Sequence, residues 1–200
     1  MGRKSIAAIR RKEILEHLFQ LIYEEGFEAA STVRLARRMD MPSSLLIHYF
    51  RTKEEMIHAL IEWMIEQYEQ TFLPRLEAIS DPGERLDQVL STIFGSEWDD
   101  QQNGQVFYSC FPLIFHHPKI RERYQRNYTG FHAHLLHELS LAEAAHIIPP
   151  QDLGRSAHLL IALVEGFNFY ERIRDDKTDY GAQGKAMKAV ARLILGCKDS

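Results

Sequence analysis

Two hundred residues, 45% hydrophobic and 26% charged, suffice for one large domain, or for a small domain joined to a larger one, around a sizeable core. No apolar run approaches the roughly 20 residues of a membrane span. The basic, amphipathic N-terminus lacks the apolar block of a signal peptide, and Cys110 and Cys197 form neither a zinc spacing nor a disulfide framework, so a cytoplasmic chain is expected.

The net charge of −4 is uneven: residues 1–53 carry ten basic and six acidic side chains, net +4, and the remainder carries −8. A basic small end on an acidic body suits a polyanion partner for that end; ordinary surface variation gives the same asymmetry, and charge alone leaves both readings open.

No β-type alternation and no repeat period stands out, so the chain reads as all-α, about nine helices punctuated by Gly and Pro. In the first, Ile14, Leu15, Leu18, Phe19 and Ile22 follow helical spacing, and Gly26 suits a left-handed C-terminal position. Ser31 or Thr32 can cap a short second helix carried by Val33, Leu35, Ala36 and Met39. Asp40, Met41 and Pro42 break it, and a short apolar third helix follows to Phe50. Thr52-Lys53-Glu54-Glu55 reads as a capping box that starts the fourth helix, which Pro74 is expected to stop.

Asp81 with Pro82 starts the fifth. A loop is expected over 95–104, then an apolar helix interrupted by Pro112. Pro118 opens a long seventh helix, an eighth follows Pro149-Pro150, and a ninth ends at Gly196.

Two short helices joined by a three- or four-residue break match the helix-turn-helix pattern. The second must enter a major groove about 12 Å wide with small polar residues leading, while its other face packs on supporting helices. Leu46, Tyr49 and Phe50 lie at i, i+3 and i+4 and form that anchor.

Here the chain resembles the TetR family of bacterial transcriptional regulators. The resemblance is carried by residues 10–61, including Gly26-Phe27, Leu35-Ala36, the Leu46…His48-Tyr49-Phe50 run and Thr52-Lys53-Glu54-Glu55. It implies phosphate contacts for Thr32, His48 and Lys53, and groove-facing roles for Ser43, Ser44, Leu45 and Ile47. Asp40 stands where the family usually has Gly, and Pro42 where it usually has a Ser cap. Ser43 and Leu45 replace a frequent Lys and Thr, and Ile47 a common Tyr. Fewer donors remain, which points to apolar contact with thymine methyls; packing of Leu45 and Ile47 against protein is the open alternative. Arg3, Lys4, Arg10, Arg11 and Lys12 are expected as a disordered basic arm or first turn touching phosphates, or as a solvated charge run.

The resemblance further implies a three-helix DNA-binding domain over 1–51 and a larger ligand-binding and dimerisation domain over 52–200. Aromatics concentrate in the middle of the chain, interleaved with polar residues that a pure core would avoid. A mostly apolar site for a small-molecule inducer is expected from Phe107, Phe111, Tyr128, Phe131, His132, Glu165 and Phe167. Glu165 either selects a cationic ligand or hydrogen-bonds within a dimer. In the run 132–137, His132 and His134 stand about 200° apart on a helix and only His134 and His137 share a face, so no metal is expected. No cofactor is implied.

The reading is a ligand-responsive, homodimeric regulator, a repressor of a palindromic double-stranded DNA operator, with no membrane association and no catalytic site. The rivals are an all-α interaction module that has lost DNA binding and an all-α enzyme using Cys110 or a histidine. No nucleophile–base order at a recognisable motif supports the enzyme.

Overall fold

Local signals in the sequence set most of the helix starts. The computed structural model describes residues 3–95, 101–174 and 180–197, and every regular element in them is helical. The α-helices are α1 Arg3–Glu25, α2 Thr32–Arg38, α3 Ser43–Tyr49, α4 Lys53–Glu77, α5 Pro82–Ile93, α6 Gln101–Ser109, α7 Pro118–Ala144, α8 Leu153–Ile173 and α9 Tyr180–Ile194. Short 3₁₀ turns occupy Phe27–Ala29 and Phe111–Phe115. No helix among the described residues is long and apolar enough to cross a membrane.

Ser31 Oγ accepts the Arg34 N–H at 3.3 Å and caps α2, leaving Thr32 as its first residue. Asp81 and Asp152 cap α5 and α8 in the same way, at 2.8 and 3.0 Å. The box before α4 forms with one change. Thr52 Oγ1 accepts from Glu55 N–H at 3.0 Å, but the Glu55 carboxylate accepts the N–H of Arg51, one residue before the cap, also at 3.0 Å.

Of the readings open for the basic residues near the N-terminus, the helical first turn forms and not the disordered arm: α1 begins at Arg3, and Arg10 and Lys12 pair along it with Glu13 and Glu16 at 2.6 and 3.7 Å. Four expectations are corrected. Pro74 does not end α4. Its ring forfeits one backbone bond, but Leu76 beyond it is 3% exposed, and its burial holds the extra turn. Gly26 has φ +83° but ψ +167°, extended and not left-handed helical, a region open almost only to glycine; it turns the chain into the 3₁₀ turn. Val33 is 58% exposed and does not join Leu35 and Ala36 in the core. Of the loop expected over 95–104, residues 96–100 lie outside the described residues, and the rest from 101 is already α6.

The chain divides into two compact units. The first holds Met1–Glu69 and Gln102–Gln125; the second holds Gln70–Gln101 and Arg126–Ser200. In the first, Ile14, Leu18, Ile22, Leu35, Leu46, Phe50, Met56, Leu60 and Ile61 are fully buried. In the second, Leu90, Ile93 and Phe94 of the α5 end pack with Leu139, Leu160, Val164 and Leu195. Gly184 lets α9 approach α5 there: a Cβ on it would lie 2.1 Å from the Phe94 carbonyl oxygen.

Candidate nucleic-acid interface

The turn between α2 and α3 places Asp40 at φ +48°, the left-handed region, in the position where glycine was the expected residue. Aspartate tolerates that conformation better than most side chains. Met41 N–H then returns to Ala36 O at 3.0 Å, which fixes the break. Pro42 stands at the N-cap of α3 with no side-chain cap, so the first turn of α3 offers backbone donors outward.

α3 is amphipathic in a precise physical sense. Leu46 and Phe50 are 0% exposed and seat it on the first unit. Tyr49, expected as a third anchor, is half-buried and meets the His48 ring edge-on at 5.6 Å. The remaining face carries half-buried Ser43, exposed Ser44 and His48, Leu45 at 41% and Ile47 at 50% exposure. Leu45 and Ile47 thus stay outside the core that Leu46 and Phe50 enter. Lys53, in the first turn of α4, is exposed, with Nζ 4.6 Å from the centre of the Phe27 ring. Thr32 is half-buried at the start of α2.

Exposed Val33 and Arg37 on α2 and Arg51 before α4 were not named from the sequence as interface candidates; exposure alone brings them forward. The neighbouring bases are engaged. Arg38 clasps Glu24 with two bonds of 2.6 and 2.9 Å, which lowers the Glu24 pKa, and Arg34 meets Glu25 at 2.7 Å.

The residues expected to line a ligand site divide between the units. Phe107 and Phe111 lie in the first, 5.4 Å apart between ring centres, both against Tyr124, whose hydroxyl donates to Phe107 O at 2.9 Å. Tyr128, Phe131, His132, Glu165 and Phe167 lie in the second. There Phe167 is 7% exposed against Phe94 and Tyr180, Phe131 borders the same core, and His132 Nε2 is 3.2 Å from Gly154 O.

Cys110 is fully buried, and desolvation pushes its thiol up to about 12. Only the thiolate reacts, so a thiol reagent at neutral pH should label half-buried Cys197 in the native protein and reach Cys110 only after unfolding. Peptide mass mapping checks this; fast native labelling of Cys110 would contradict it.

The family model described as "Bacterial regulatory proteins, tetR family" matches residues 14–60, which span α2, α3 and the start of α4. The model described as "Tetracyclin repressor-like, C-terminal domain" matches residues 81–197. The chain belongs to the TetR family of bacterial transcriptional regulators. A curated relative, the HTH-type transcriptional regulator BetI of Serratia proteamaculans, is 23% identical over 168 residues, covering 83% of this chain and 82% of that protein. A TetR transcription regulator from Haloarcula marismortui has the same fold, with a TM-score of 0.84 at 13% identity over 94% of this chain and 97% of that one. So has a transcriptional regulator from Saccharomonospora viridis in complex with choline, with a TM-score of 0.80 at 17% identity over 94% and 96%. As a TetR-family protein, the chain is a ligand-responsive, DNA-binding transcriptional regulator, and α2–α3 is its helix-turn-helix.

Proposed function

We propose that the chain is a homodimeric repressor that binds a palindromic double-stranded operator and is released from it by a small, mostly apolar molecule. The observation that carries this reading is the division of α3: Leu46 and Phe50 fully buried, Leu45 and Ile47 open beside Ser44 and His48. Residues 1–51 read DNA and residues 52–200 bind the effector and the second copy. Leu45 and Ile47 contact thymine methyls, Ser43 and Ser44 approach base edges, and Thr32, His48 and Lys53 contact phosphates.

Support for a dimer comes from exposed apolar side chains on the last two helices: Leu159, Tyr170 and Ile173 of α8, and Val190 and Leu193 of α9, from 37% to 74% exposed. Pairing on these faces suits a two-fold arrangement whose reading helices stand about 34 Å apart, one helical turn of DNA.

Within the second unit, Tyr128, Phe131, His132, Glu165 and Phe167 read the effector. Glu165 favours a cationic group, and the choline bound by the Saccharomonospora viridis regulator makes choline the natural cationic probe. α4 is the link: it starts at the Thr52 cap beside α3 and continues into the second unit. A ligand that prefers the state unfit for DNA weakens binding by its differential affinity.

Selection from a random duplex library should enrich a palindrome. Affinity for it, measured with choline and with indole, should fall for an effector, and DNA should weaken that effector by the same factor. Unequal factors, or no response to either probe, would defeat this account of release.

Leu45→Ala and Ile47→Ala should each weaken the selected operator by about 1–2 kcal/mol and leave folding stability within about 0.5 kcal/mol. Replacing the contacted thymines with uracil removes the same methyl groups. The uracil and alanine losses should therefore overlap; full additivity would show that the two do not touch.

A further inference from the structure

The first unit contains a cation whose contacts fall where the reading helix ends and α4 begins. Arg11 of α1 donates through Nη1 to the Tyr49 carbonyl at 2.5 Å. Its guanidinium carbon lies 4.1 Å from the centre of the Phe50 ring, and Nη2 is 3.9 Å from the Glu55 carboxylate. That carboxylate in turn accepts the Arg51 N–H at 3.0 Å. One side chain thus touches three residues of the seven-residue stretch, 49–55, where α3 ends and α4 begins.

The chemistry favours this arrangement. A seven-residue helix has few internal bonds, and its last carbonyls have no partner within it. Tyr49 O is one of these, and the C-terminal end of a helix attracts a cation. An arginine can donate in its plane to that carbonyl while stacking on an aromatic face; an ammonium has no plane to stack and cannot do both in this geometry. Arg10 and Lys12 on either side pair with Glu13 and Glu16 of their own helix. Arg11 is the one of these three whose contacts leave α1 for the turn.

We propose that Arg11 is a positioning residue for DNA reading: it clamps the C-terminal end of α3 to α1 and sets the angle at which the helix meets the bases. This rests on α3 being the reading helix. The competing role for a half-exposed arginine near the DNA face is a phosphate contact, which would act on any duplex and register in the salt dependence. A clamp acts on aligned base contacts and so on specific binding alone.

The test measures the affinity of full-length wild type, Arg11→Lys and Arg11→Gln for the selected operator and for an unrelated duplex over a range of salt. Thermal unfolding of each variant is followed alongside. The lysine variant keeps the charge and the glutamine variant removes it. Both should lose about tenfold or more on the operator, as expected for misplacing a base contact, while holding the unrelated duplex within about twofold and keeping the wild-type log–log salt slope.

A lysine variant that binds like wild type, with a glutamine variant that weakens both duplexes and lowers the slope by about one, would overturn the clamp in favour of a phosphate contact. Equal losses on both duplexes with a lowered melting temperature would overturn it in favour of general destabilisation. Wild type that selects no duplex would defeat the DNA reading itself, a failure distinct from either.

Discussion

Glu138→Ala is expected to cost about 3 kcal/mol of folding stability, because it strands a mostly buried guanidinium. Glu138 of α7 accepts from Arg85 of α5 through both arms of the fork, Nε at 2.5 Å and Nη2 at 2.7 Å. The side chains are 8% and 15% exposed. The hydrogen bond that Arg85 donates to the carboxylate is the largest cause of its raised pKa; with the partner deleted that rise is lost, but a guanidinium is basic enough by itself to stay charged. The pair itself is a weak source of net stability, since removing two ions from water costs much of what their attraction returns.

The double change Arg85→Met with Glu138→Leu should therefore be far milder than either single change, near neutral or stabilising. Urea unfolding of the single and double variants measures this. A Glu138→Ala loss below about 1 kcal/mol would place the pair with ordinary surface ion pairs.

Features set by neighbouring residues were legible in the sequence. Helix starts at Ser31, Thr52 and Asp81 depend on a side chain three residues from the amide it caps, and all three formed. The helix-turn-helix was legible for the same reason: Leu46 and Phe50 share a face by spacing alone, and both are buried. What was missed depended on distant contacts. Pro74 is a local stop signal that the burial of Leu76 overrides. Arg11 reads as a phosphate-seeking base until the chain folds and brings Tyr49, 38 residues away, to its fork.

The exposure of Leu45 and Ile47 followed from the helical period, but their residue types argued for burial, and only the packed structure decided between the two. The aromatic residues expected around one ligand are a similar case. Composition brought Phe107 and Phe167 into one group, whereas the structure assigns them to different units, Phe107 beside Phe111 and Tyr124 and Phe167 beside Phe94 and Tyr180.

Phe50→Ala should unfold the reading head, in contrast to the mild effects expected at Leu45 and Ile47. Phe50 closes α3, its N–H bonded to Leu46 O at 3.0 Å, and its ring is fully buried under the Arg11 guanidinium. Truncating a buried phenylalanine removes its transfer free energy and leaves a cavity, together about 3–5 kcal/mol, and the stacking of Arg11 is lost with the ring.

A head built on three helices, two of them seven residues long, has little reserve against such a loss. Hydrogen exchange at the amides of Leu18, Ile22 and Leu46 should accelerate by roughly a hundred- to a thousand-fold or more. Binding should then fail on operator and unrelated duplex alike at every salt concentration, because phosphate contacts also need α2, α3 and the start of α4 held together. Retained exchange protection at these amides, or retained binding to unrelated duplex, would show that Phe50 is not what holds α3 in place.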